Sequence, residues 1–206
     1  MSIQGWGAMS NPAGGLETGG TVQAQRADAR ANRVRILDVA EEVFGQGGES
    51  ASTEEVARRA GVGIATVFRH FPTKAALLEA VLLRRFDRLH EQAEALLAAA
   101  DPGQAFAGFF RYLVADAPAK IGIAEALLDA GGDGGEAVRA SNELRLAFGA
   151  LLGRAQKAGV IRDDAQLPEV YALLVGVSQA AAHGHLDEQG SARVLAIVFD
   201  GLAPRP

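Results

Sequence analysis

The chain has 206 residues, 49% of them hydrophobic, 22% charged and only 6% aromatic, the balance of an ordinary globular protein rather than of a disordered or membrane-embedded one. It contains no cysteine, which excludes a disulfide framework, a thiolate metal site and a cysteine nucleophile. The formal net charge of -5 argues against a nucleic-acid partner only when averaged: residues 1–74 carry 8 basic and 8 acidic groups, whereas residues 75–206 carry 12 and 17.

Residues 1–24 are rich in glycine, lack Lys and Arg and show no hydrophobic period, so they are expected to form a disordered tail, with Trp6 an incidental part of it. From Gln25 the pattern turns helical: Ile36, Leu37, Ala40, Val43 and Phe44 recur at three- and four-residue spacing until Gly45, Gly47 and Gly48. Arg26, Arg30 and Arg33 make a basic stripe on this first helix. Ser52 and Glu55 read as a capping box opening a second, short helix that ends at Ala60, before Gly61. A third runs from about Ile64 to Phe71, where Pro72 and Thr73 restart the chain. The fourth, from Lys74 to about Ala100, carries Leu78, Leu82, Phe86, Leu89, Ala93 and Leu97 on one side. Further helices are expected at 104–117, 119–130, 135–158, 167–184 and 191–202, with 131–135 and 159–166 as connectors. No strand alternation, glycine-rich cofactor motif or internal repeat interrupts this pattern, so the fold class is all-α and no cofactor is implied. No apolar run is long enough to span a membrane, and the N-terminus lacks a signal peptide's pattern; a cytoplasmic protein is expected.

The informative stretch is 52–78, STEEVARRAGVGIATVFRHFPTKAALL. Two short helices joined by a turn containing Gly61 have the layout of a helix-turn-helix. Val56, Ala57, Val62, Val67 and Phe71 supply its inner contacts. Gly63, Ile64, Ala65, Thr66, Phe68, Arg69 and His70 then share the outer side of the third helix, the element that would enter a DNA major groove. Donors for phosphates are Arg30, Arg69, His70, Lys74 and the hydroxyls of Ser52 and Thr53, although Ser52 can equally serve only as a cap. Ile64 and Ala65 offer only apolar contacts to base edges.

On Val56-Ala57, Ala60-Gly61-Val62, Thr66, Phe68, His70-Phe71, Lys74 and Leu77, this region resembles the TetR/AcrR family of bacterial transcriptional regulators. The resemblance covers about 50 residues, Arg30 to Val81. It implies a homodimer whose N-terminal helices, here 25–73, bind operator DNA, and whose larger domain, here 74–206, binds a small molecule that releases the DNA. His70 and Lys74 match family positions that contact the DNA backbone. Two positions depart from the family: Gly63 stands where Ser or Thr is frequent, and Phe68 where Tyr is usual. Losing both hydroxyls leaves room for a second reading, a small-molecule binding or sequestering protein whose DNA-reading half has decayed.

In the second part, 170–182 carries no charge, which predicts a helix buried on all sides, and Gly176, Ala180 and Gly184 recur every four residues. With the stripe on the last helix this forms half of an intersubunit four-helix bundle, its candidate interface being Val170, Leu173, Leu174, Val177, Ala180, Ala181, Val194, Leu195, Val198 and Phe199; a buried hairpin within one subunit is the alternative. Phe86, Phe106, Phe109, Phe110, Leu128, Phe148 and Tyr171 are candidates to line an apolar effector cavity, although aromatics at helical spacing also build cores. Tyr112, Asn142 and Gln179 are polar groups that would orient the effector. His183 and His185 lie two residues apart, which on a helix turns the rings to different faces, so no metal site is expected. No residue set has the order of a catalytic triad or a carboxylate pair, and no enzyme is expected.

Overall fold

The computed structural model describes residues 18–46 and 51–205. Among the described residues eight helices follow in order: α1 (Thr18–Gln46), α2 (Thr53–Ala60), α3 (Ile64–His70), α4 (Lys74–Leu96), α5 (Pro102–Asp129), α6 (Gly135–Lys157), α7 (Leu167–Ala182) and α8 (Glu188–Leu202). The all-α class is therefore as the sequence indicates. The helix α1 begins inside the stretch assigned to a tail; the rest of that stretch, Trp6 included, lies outside the described residues, as do Gly47 and Gly48.

Local signals set the short helices. Ser52 Oγ accepts from the Glu55 amide at 3.1 Å and opens α2, and Gly61, at φ 65°, closes it. Only half of the capping box forms, because the Glu55 carboxylate turns instead to Arg58, at 2.6 and 2.8 Å. Thr73 caps α4 by accepting from Ala76 N at 3.0 Å. At its other end α4 stops at Leu96, short of Ala100, because Arg154 of α6 donates to the carbonyls of Leu96 (3.1 Å) and Ala99 (2.9 Å). A cation there satisfies carbonyls that the next turn would otherwise have used.

The expected break at Pro118 does not occur: α5 runs through it. An interior proline costs about 3 kcal/mol, but both halves of α5 are held by burial, Phe109, Phe110 and Leu113 before the proline and Ala117, Ile123 and Leu127 around and after it. Each large side chain so buried contributes roughly 1.5–3 kcal/mol, enough to outweigh the lost hydrogen bond. One turn earlier than expected, α8 starts at Glu188, where Asp187 accepts from Gly190 N at 2.6 Å. In turn α7 ends at Ala182, and Gly184 sits beyond it at φ 72°, in the turn rather than on a helix seam.

A single apolar core runs from Ile36 and Val56 in α1 and α2 through Leu78 and Phe86 to Phe148 and Val170. Its centre is a chain of aromatic edges: Phe106 on Phe110 (centroids 6.1 Å), Phe148 on both (5.3 and 5.8 Å), Tyr171 on Phe148 (6.1 Å) and Phe199 on Phe110 (5.5 Å).

Candidate DNA interface and effector cleft

The reading element is α3. Val67 and Phe71 turn inwards and are buried, while Gly63, Ile64, Ala65, Phe68 and Arg69 are exposed and Thr66 and His70 half-buried. This division is the one the apolar pattern predicts. Phe68, at 41% exposure, carries a ring in water that the fold itself does not use. Arg69 Nη2 donates to Thr66 Oγ1 at 3.4 Å along the outer face. From α1, Arg33 sets the pitch of α3: its guanidinium lies 4.3 Å from the Phe71 ring centroid and donates to the His70 carbonyl at 3.3 Å. The His70 imidazole is held below its ordinary range, first by partial burial and then by Arg69 and Arg33, and is therefore neutral near pH 7.

Some cations of the domain are paired and others are not. Arg58 pairs with Glu55 and Arg59 with Glu42. Among the described residues, Arg69 and Lys74 have no carboxylate within 4.0 Å. Lys74 is moreover the first residue of α4, where the free amides already make the helix end positive. A lysine there opposes the helix dipole by roughly 0.3–1 kcal/mol, a cost that an anion at this end would reverse.

Not every predicted contact stands free. Thr53 is 6% exposed and its hydroxyl donates to Glu54 Oε2 at 3.2 Å, so it is a packed part of the α2 start rather than a phosphate ligand. The Ser52 hydroxyl is engaged as the cap. Glu54 is held below the ordinary carboxylate range by its backbone hydrogen bond first, then by the Ser52 and Thr53 hydroxyls. Arg30 lies exposed on α1.

In the second half, most of the aromatic candidates pack against one another. Phe106, Phe109, Phe110 and Phe148 are each 0% exposed and, with half-buried Tyr171, belong to the packed core. Tyr112, Asn142 and Gln179 are exposed on α5, α6 and α7. Only Phe86 and Leu128 line a cleft of about 260 Å³ between α4, α5 and α6, whose other walls include Leu82, Lys120, Ile121, Leu127, Val138 and Ser141. A larger groove, about 560 Å³, runs between α5 and the start of α8, past Arg111, Pro118, Glu188 and Ala192.

The interface candidates divide likewise. Val170, Leu174, Val177, Leu195 and Val198 are largely buried within the chain and pack its own core. Ala180, Ala181, Val194 and Phe199 are half-buried, and Leu173 is exposed. The helix α7 is thus not buried all round: Leu173 (43%) and Val175 (42%) are exposed, as is Ile197 of α8 at 70%. His183 and His185 stand with ring centroids 6.4 Å apart, and no group of three potential metal ligands occurs among the described residues.

Sequence reasoning missed the junction between the two halves. Arg84 pairs with Asp38, Arg88 with Glu41, and Arg85 with both Glu41 (2.7 Å) and Asp116 (2.6 Å), tying α1, α4 and α5 together. The available signal was the spacing: Arg84, Arg85 and Arg88 share one side of α4, as Asp38 and Glu41 share one side of α1.

The short helix pair with its outward α3 defines a helix-turn-helix protein. Residues 36–81 match the model of the bacterial regulatory proteins of the tetR family, and residues 101–204 match that of the C-terminal domain of SbtR-like transcriptional regulators. A TetR transcription regulatory protein from Mycobacterium vanbaalenii is 40% identical, with 87% of this chain and 99% of that one covered and a TM-score of 0.71. A TetR regulator from Streptomyces coelicolor is 34% identical, with 84% and 99% covered and a TM-score of 0.69. The HTH-type transcriptional repressor KstR of Mycolicibacterium smegmatis is 39% identical over 77 residues, which span 36% of this chain and only 38% of that protein. A regulator from Staphylococcus aureus is 35% identical, again over 40% of its length. The chain belongs to the TetR family of bacterial transcriptional regulators, a family of DNA-binding proteins and not of enzymes. Among the described residues no helix is long and apolar enough to cross a membrane.

Proposed function

We propose that the protein is a cytoplasmic, homodimeric repressor that binds operator DNA through α3 and is released by a small, largely apolar molecule. The observation that carries the reading is the exposed face of α3 with Arg69 on it and Lys74 beyond it at the start of α4, neither of them salt-bridged among the described residues. Ile64, Ala65, Thr66, Phe68 and Arg69 meet base edges and the adjoining sugars. Lys74, the amides at the start of α4, His70 and Arg30 hold phosphates, and Gly63 lets the backbone approach without a side chain.

Dimerisation is supported by the exposed apolar side chains of the last two helices, Leu173 and Val175 of α7 and Ile197 of α8, since large apolar groups left in water mark an interface. The groove beside α8 is lined by Ala192 and Ala196, on the helix that a partner would cover. The effector is therefore assigned to the cleft between α4, α5 and α6. From there α4 leads directly to Lys74, and an effector shifts the DNA equilibrium only by its differential affinity for the two arrangements.

The test is titration of a labelled duplex carrying the intergenic region upstream of the gene. Affinity should fall steeply with salt, and Lys74→Ala should weaken binding nearly uniformly across sequences and reduce the salt slope by about 1. Absence of any complex at low salt would favour the small-molecule binder with a decayed reading half. Sedimentation equilibrium checks the assembly: Ile197→Asp should convert a dimer to monomer at micromolar concentration.

A further inference from the structure

The cleft between α4, α5 and α6 is walled mainly by apolar side chains, and Lys120, Asp133 and Ser141 are its polar ones. Lys120 of α5 is half-buried there, with its ammonium 5.7 Å from the centroid of the Phe86 ring. Among the described residues no carboxylate lies within 4.0 Å of it. One turn earlier on α5, Asp116 is only 7% exposed and already holds Arg85, yet its Oδ2 has no hydrogen-bond partner. The carboxylate that lines the cleft, Asp133, is exposed in the loop before α6 and accepts from Gly135 N at 2.9 Å.

Charge counting makes the imbalance explicit. Around the α1–α4–α5 junction stand four cations, Arg84, Arg85, Arg88 and Lys120, against three carboxylates, Asp38, Glu41 and Asp116. The three arginines all have partners. The cation left over is the one that faces the cleft. Withdrawing an ammonium from water without a counter-ion is costly, and burial duly pushes the Lys120 amine below its ordinary range, with Asp116 opposing and Arg85 reinforcing the shift.

Resting on the reading of this cleft as the effector site, we infer that the effector is a compact, largely apolar molecule bearing a single carboxylate, with Lys120 as its counter-charge. A volume of about 260 Å³ suits one ring with a short acidic arm rather than a long chain. A single ammonium matches a single negative charge, whereas a phosphate dianion would call for several donors, which these apolar walls lack. The same pairing gives the effector a route to the reading head. A carboxylate at Lys120 competes with Asp116 for the field of that ammonium, Asp116 holds Arg85, and Arg85 holds Glu41 of α1.

The experiment is calorimetric titration of the full chain with phenylacetate and cyclohexanecarboxylate, each beside its uncharged amide. At least one acid should bind about tenfold more tightly than its amide, the ratio expected for a desolvated charge-assisted contact. Lys120→Met should bring acid and amide within about twofold of each other, and Lys120→Arg should keep the preference. Equal binding of acid and amide, a preference that survives Lys120→Met, or binding of neither acid overturns the inference. The operator duplex separates the two levels. An amide that binds and releases DNA defeats the carboxylate but leaves the regulator reading intact. An acid that binds through Lys120 and leaves the DNA complex untouched supports the carboxylate site and defeats the reading of the cleft as the place from which DNA is released.

Discussion

Two clusters of cations lie at opposite ends of the first stretch of α4, and they differ in their neighbours rather than in residue type. At the junction, Arg84, Arg85 and Arg88 meet Asp38, Glu41 and Asp116, and Arg85 is only 14% exposed. At the other end, Lys74 at the start of α4 and Arg69 of α3 are exposed and, among the described residues, form no salt bridge within 4.0 Å. Paired charges inside a fold hold helices together; unpaired charges on its surface wait for a polyanion. A net charge of -5 concealed this, because it sums over both.

Substitution at each cluster sharpens the contrast. The largest effect is expected from Arg85→Met, which strands Asp116 and weakens the hold on Glu41: stability in urea should fall by about 3–5 kcal/mol, the cost of leaving a buried carboxylate without its cation. Arg69→Met should leave stability within about 0.5 kcal/mol while weakening the duplex complex. Equal destabilisation by both would erase the distinction between the clusters.

A smaller effect is expected at Gly63, the residue before α3. Its φ is -69° and a Cβ there meets no atom within 4 Å, so Gly63→Ser fits and supplies the missing cap. Unfolding should become harder by a few tenths of a kcal/mol, and the duplex complex should tighten if the added hydroxyl reaches a phosphate.

The smallest effect concerns His70. Its folded-state pKa is depressed, by burial first and by Arg69 and Arg33 next. The unfolded chain therefore takes up the proton more readily. The contribution to stability is full above about pH 6.5, the ordinary histidine value, and is lost as pH falls through the lower folded value. Urea midpoints between pH 7.5 and 5 should drop slightly more for the wild type than for His70→Gln.

What could be read in the sequence was what local chemistry decides. Gly61 and Ser52 bounded α2, Pro72 and Thr73 separated α3 from α4, and the inward Val67 and Phe71 fixed which face of α3 looks out. What could not be read depends on distant packing. Pro118 looked like a break because its cost is local, whereas the burial that carries α5 across it is contributed by other helices. Phe106, Phe110 and Phe148 were equally compatible with a cavity wall and a core, since spacing cannot say whether facing rings touch. Val170 and Leu174 looked like interface residues for the same reason. Glu41 and Arg85 pair across 44 residues, and the meaning of Lys120, a lone cation in an apolar run, depends on the acids it fails to meet.

The arginine that closes α4 has a mechanical consequence. Arg154 pins the carbonyls of Leu96 and Ala99 to α6, so that end of α4 acts as a fulcrum and not as a free terminus. From there to Lys74 the helix is an arm of roughly 33 Å at 1.5 Å per residue, and a tilt of about 5° about the pinned end displaces Lys74 by about 3 Å. A sub-ångström adjustment beside the fulcrum thus becomes, at the far end of the arm, a movement as long as a hydrogen bond.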